Sequence, residues 1–150
     1  MSVTQETLEA SDLINWTIFQ ELLLMDEDEE GFALSLVETF VQQCNETFEK
    51  IEELINNKEA YSEERLAELS GLGHYLKGSA AALGLQKVQD ECERIQNYGK
   101  KDSSFDNYEL AKKAKTISDW FDCCREAYKE VRVYFDESKD LLAKYFQAEL

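Results

Sequence analysis

Not one proline interrupts this 150-residue chain. Proline removes a backbone donor and breaks helix interiors, so a chain without it is free to run long helices. Only six glycines accompany that absence, which leaves little of the turn chemistry that a β fold of many short strands requires. An all-α fold follows. Hydrophobic residues make up 43% and charged residues 32%, the balance of a globular chain rather than a disordered one. The length suits one domain over residues 1–150. A formal net charge of −16 makes nucleic acid and anionic membrane poor partners and favours a basic one. Residues 1–10 lack a basic region followed by an apolar run, so no secretory signal is expected, and no apolar stretch is long enough to span a bilayer. Cys44, Cys92 and Cys123 fall on apolar helical stripes. With neither zinc spacing nor a disulfide pattern, the cysteines read as small buried hydrophobes in a reduced, intracellular setting.

Hydrophobic periodicity marks out the helices. Asp12 is placed to cap a first helix ending near Met25, and this helix carries two stripes. Trp16, Phe19 and Leu23 form one; Ile14, Ile18, Leu22 and Met25 form the other, nearly opposite. On these residues alone the second stripe is either an exposed docking face or buried as well. The acidic run Asp26–Glu30 suits the start of a second helix, whose core stripe is Ala33, Val37, Phe40, Cys44, Phe48, Ile51 and Ile55, with Phe32 off it. Ser62 caps a third helix, lined by Leu66, Leu69, Leu72, Leu76, Ala80 and Leu83 and stopped at Gly84. A fourth puts Leu85, Val88, Cys92 and Ile95 inward and ends at Gly99. From Leu110 to Tyr145 apolar residues recur at spacings of four and three. Unbroken, that run would reach roughly 60 Å, so a break capped by Ser118 is expected. Short links between four main helices predict an antiparallel four-helix bundle with an additional N-terminal helix.

His74 is the only histidine, and it points about 150° away from the leucine stripe of its helix. Residues three and four positions away cover a helical side chain; here they are Ser70, Gly71, Lys77 and Gly78. Two glycines inside an exposed helix each cost about 1 kcal/mol relative to alanine. A strip kept clear for another protein's close approach accounts for that cost, whereas an ordinary solvated face would carry Glu, Lys and Gln. A neutral imidazole has a nucleophilic lone pair and can take a phosphoryl group covalently. Lys77, one turn along, can neutralise the phosphoryl oxygens. No nucleotide-binding glycine loop is present, so no ATP-dependent kinase activity is expected. Asp26-x-Asp28-x-Glu30-Gly31 imitates the opening of a calcium loop, but Val37 stands at the twelfth position, where a bidentate Glu is needed. A di-iron bundle needs Glu-x-x-His pairs, and Gly71 precedes the one histidine. No metal site is expected.

The stretch Gly73-His74-Tyr75-Leu76-Lys77-Gly78-Ser79-Ala80-Ala81-Ala82-Leu83-Gly84 resembles the histidine phosphotransfer (HPt) motif H-x-L-K-G-S-x-x-x-L-G, carried on residues 70–84. Ile14-Asn15-Trp16-Thr17-Ile18, Met25-Asp26 before the acidic run with Phe32, and Cys92-Glu93-Arg94-Ile95-Gln96-Asn97 are similar to the fungal osmosensing phosphorelay members of that family. Likeness is good over residues 12–99 and thinner beyond 105, where Ala143-Lys144-Tyr145-Phe146 matches; Ala80 replaces a common serine. The resemblance implies a phosphorelay intermediate that accepts a phosphoryl group on His74 from a receiver-domain aspartate of a hybrid sensor histidine kinase. It would pass the group to the receiver aspartate of a response regulator, as a covalent carrier rather than an autonomous enzyme. Lys77 and Gln96 would assist, with Ser70, Gly71 and Gly78 allowing close approach. Ile18, Leu22, Met25, Phe32, Leu36 and Tyr75 would dock the receivers. The chain would hold no cofactor of its own, with Mg²⁺ supplied by the partner, and would work as a monomer in cytoplasm and nucleus. The competing expectation is a helical adapter that binds partners through its apolar patch without chemistry, and such an adapter has no use for His74 in its cleared strip.

Overall fold

The computed structural model describes residues 2–104 and 108–150. Its helices run α1 (Gln5–Ala10), α2 (Trp16–Met25), α3 (Phe32–Asn56), a 3₁₀ turn (Lys58–Ala60), α4 (Glu63–Leu83), α5 (Gln86–Gly99), α6 (Glu109–Lys112) and α7 (Ile117–Phe146). Among the described residues there is no strand, and no helix is long and apolar enough to cross a membrane. Helices α3, α4, α5 and α7 form the bundle, with α4 packed chiefly on α5 and α5 on α7. Every residue of the expected α3 stripe is buried, as are Val88, Cys92 and Ile95 on α5 and all four cysteines. Burial pushes the Cys92 thiol up to about 12, which keeps it protonated. Rings lace α3 to α7: Phe48 meets Tyr128 at 5.6 Å and Phe135 at 5.1 Å, both edge-on, the arrangement favoured by ring quadrupoles.

Ser62 caps α4 by accepting from the Arg65 N–H at 3.1 Å. At its other end Gly84 adopts φ 73, its N–H donates to Ala81 O and the Leu85 N–H to Ala80 O. That left-handed closure is what glycine supplies without strain, and it turns the chain directly into α5.

The N-terminal region differs from expectation. Residues Gln5–Ala10 form a helix of their own, closed by a reciprocal Thr4–Thr7 capping box and pinned by fully buried Leu8. Asp12 does not cap α2; Asn15 stands at that position and makes no side-chain cap bond. The reason is tertiary. The Asn15 N–H donates to Gly84 O at 2.6 Å and Gln86 Nε2 donates to Asp12 O at 2.7 Å, holding the linker against the α4–α5 corner. That contact also buries Ile14, at 3% exposure, and removes it from the outward stripe. Of the acidic run, Asp26 reaches the first turn of α3, accepting from the Ala33 N–H at 2.7 Å, while Gly31 holds the N-cap position.

The break before the last helix comes at residues 113–116, and Thr116 rather than Ser118 is the cap. Thr116 and Asp119 exchange hydrogen bonds as a capping box, which satisfies two orphan donors where a lone serine would satisfy one. The link from α5 to α7 is therefore long and carries α6, whose Leu110 lies 44% exposed instead of continuing the core stripe.

Candidate functional site: an exposed imidazole between two helices

Leu69, Leu76, Ala80 and Leu83 bury one side of α4, and this turns His74 outward on the other. Its exposed ring is held at one edge: Nδ1 lies 3.2 Å from Gln96 Nε2 on α5. No other hydrogen bond to the ring is found among the described residues, which leaves Nε2 without a protein partner. As placed, the Gln96 amide donates to Nδ1 while its Oε1 is buried without a partner. Turned over, the amide would present Oε1 to an Nδ1–H. The two orientations select opposite ring tautomers, and only the second leaves the lone pair on Nε2.

One turn along each helix, Lys77 Nζ meets Glu93 Oε2 at 3.3 Å. Glu93 also makes itself felt at Asp90, whose carboxyl sits above its usual range through burial first and the Glu93 charge second. Sequence reasoning assigned Glu93 no role. The available signal was its spacing: Glu93 and Gln96 repeat on α5 the three-residue interval of His74 and Lys77 on α4.

The glycines of the strip divide. A Cβ at Gly71 or Gly78 would meet nothing within 4 Å, so both lie open beside His74. Ser70 does not join them. It is buried between the helices, where its Oγ donates to Gln96 O at 2.8 Å. Its part is to fix the backbone that carries Gln96, and the close-approach strip reduces to Gly71 and Gly78. Gly73, not singled out from the sequence, faces α5: a Cβ there would lie 2.7 Å from Gln96 N and 2.8 Å from Cys92 O.

Among the candidate docking residues, Met25 and Tyr75 are exposed and Ile18, Leu22, Phe32 and Leu36 are half-buried. Leu24, outside both stripes, is the most exposed of the large hydrophobics among the described residues, at 59%. Ile18 sits against Gly84, ten residues from His74 and so roughly 15 Å along α4. The structure thus carries apolar surface on α2 beside the end of the helix that bears the imidazole. Among the described residues no cluster of three or more His, Cys, Asp or Glu side chains could hold a metal ion.

The Hpt domain family model matches residues 35–133. Over 105 residues the chain is 53% identical to the phosphorelay intermediate protein YPD1 of Candida albicans, covering 70% of this chain and 53% of that protein. It is 44% identical to the Saccharomyces cerevisiae protein of the same name over 95 residues, 63% of this chain and 54% of that one. The matched stretch thus spans about half the length of these curated relatives. In three dimensions the chain resembles the Saccharomyces cerevisiae histidine phosphotransfer signaling protein Ypd1 co-crystallised with the receiver domain of its downstream response regulator Ssk1. The TM-score is 0.79 at 32% identity, over 93% of this chain and 98% of that one. The fold, the outward His74 on α4 and the extent of these matches lead to one conclusion: the chain belongs to the Hpt domain family.

Proposed function

We propose that this protein is a phosphorelay intermediate that carries a phosphoryl group on Nε2 of His74 between receiver-domain aspartates, one on a hybrid sensor kinase and one on a response regulator. The observation that carries the reading is the exposed imidazole, held at Nδ1 by Gln96 and bordered by the bare backbone of Gly71 and Gly78. Phosphoryl transfer asks a protein mainly for position and charge neutralisation. Gln96 orients the ring and Lys77 supplies a cation. Mg²⁺ is expected to come with the receiver rather than with this chain. The chain would act as a monomer, and reaching both partners calls for presence in cytoplasm and nucleus. The direct test is incubation with a phosphorylated receiver domain. Label should move to this chain and prove acid-labile and alkali-stable, as a phosphoramidate is; label that survives acid, or none, overturns the reading.

Gly78→Gln tests the cleared strip. Glutamine is a better helix former by about 0.5 kcal/mol, and open space surrounds the position, so the melting temperature should hold or rise. Transfer should fall by more than tenfold, because the new side chain stands where the receiver must approach. Normal transfer kinetics would remove the steric role of the strip.

The apolar patch is expected to dock both receivers, because each must bring its aspartate to the same imidazole. Leu24, Met25 and Tyr75 are the exposed members. Alanine at one or more of them should weaken receiver binding by about 1 kcal/mol or more, near fivefold, with little change in melting. Ile18→Ala should lower stability as well, given its packing on Gly84. Titration of each variant with donor and acceptor receivers decides the matter; undiminished affinity in all three exposed-site variants places docking elsewhere.

A further inference from the structure

His74 and Lys77 on α4 face Gln96 and Glu93 on α5 as two rungs, one turn apart, at 3.2 and 3.3 Å. Ring orientation accounts for Gln96. Glu93 has no such account. It sets a negative charge one turn from the atom that receives a phosphoryl group, itself carrying close to two negative charges. It also engages the cation best placed to neutralise that group. We infer that Glu93 is a positioning residue that competes with the phosphoryl group for Lys77, and so limits how firmly His74 retains its cargo.

The inference rests on the phosphorelay reading and specifies how that site is regulated. In the accepting step the Nε2 lone pair forms the N–P bond while the aspartyl P–O bond breaks, and its electron pair returns to the carboxylate. This step uses the tautomer selected when the Gln96 amide presents Oε1 to Nδ1–H: Nδ1 keeps its proton throughout, so the ring becomes cationic and no other proton moves; onward transfer reverses these bonds on a second carboxylate. A carrier must not become a sink. If Lys77 were wholly free to bind the phosphoryl oxygens, charge-assisted bonds would favour the loaded histidine over either aspartate. Glu93 offsets this by giving Lys77 an alternative partner. With side chains 33% and 39% exposed, the ion pair is solvent-screened and weak enough to exchange at each loading.

Glu93→Gln keeps shape and removes charge. A Mg²⁺-loaded receiver domain charged with acetyl phosphate serves as the probe, and the equilibrium partition between its aspartate and His74 is measured together with the phosphohistidine lifetime. In Glu93→Gln the partition should move toward His74 by about threefold, the size of a screened ion pair, and the lifetime should lengthen. In a Lys77→Ala background the same substitution should change neither, because Glu93 acts through Lys77. A purely structural role for Glu93 leaves the partition unmoved and overturns the inference. An equal shift in both backgrounds overturns it too, showing direct repulsion of the phosphoryl group. Circular dichroism and thermal melts confirm that each variant compared is folded. A wild-type chain that takes no label overturns the phosphorelay reading as well; a labelled wild type with an unresponsive Glu93→Gln overturns this inference alone.

Discussion

His74→Gln is expected to accept no phosphoryl group from any receiver while melting within about 0.5 kcal/mol of the wild type, as an exposed surface substitution should. Among the described residues the imidazole has one hydrogen-bond partner, Gln96, and it contributes nothing to the leucine-lined core. Glutamine retains polarity and helix propensity but offers no nucleophilic nitrogen, since its amide lone pair is delocalised. As the only histidine of the chain, His74 has no substitute. Labelling is measured with a phosphorylated receiver, and folding by circular dichroism on the same preparation. A well-folded His74→Gln chain that still labels would assign the chemistry to another residue and remove the central reading. Binding of that variant to the receiver should persist, because the proposed docking surface lies on α2 and along α4 rather than on the ring. Loss of transfer with retained binding separates a carrier from an adapter.

Gly73→Ala should be the most damaging of the glycine-to-alanine changes on α4. Helix propensity alone favours alanine by about 1 kcal/mol, and at the open positions Gly71 and Gly78 that gain should appear as higher stability. At Gly73 the added methyl meets backbone atoms of α5 at 2.7 and 2.8 Å. Backbone in the middle of a helix cannot swing aside as a side-chain tip can, so the helices must part. Overpacking of this kind costs about 1–3 kcal/mol net of any propensity gain, or several degrees of melting temperature at this size. The atom struck is the backbone nitrogen of Gln96, so the parting also displaces the Gln96 side chain from the ring of the adjacent residue. Transfer should therefore fall even at temperatures where the variant is folded. Thermal melts of the three alanine variants, run beside single-turnover transfer, check both parts. Equal stabilisation at all three positions would show that α4 and α5 have slack at Gly73.

The bundle helices and the outward placement of His74 were legible in the sequence because both depend on local periodicity. The 3.6-residue stripe that buries Leu69, Leu76 and Ala80 also fixes His74 outward, whatever α4 packs against. Gly84 and Ser62 acted as the stop and start that their own backbone and side-chain chemistry dictates. The comparison with the HPt motif added Gln96, which no periodicity would have connected to His74 across 22 residues. What only the tertiary structure decided lies where one segment answers to another far along the chain. Asp12 lost its cap, and Ile14 its exposure, to hydrogen bonds from the linker to Gly84 and Gln86. Ser70 and Gly73 were alike small residues near a histidine until α5 closed on them, leaving only Gly71 and Gly78 open. Glu93 was one more acid in an acidic chain until α5 brought it to Lys77. A helical stripe states which face is apolar, but a hydrogen bond or a close contact requires two partners, and the second becomes known only when the helices are packed.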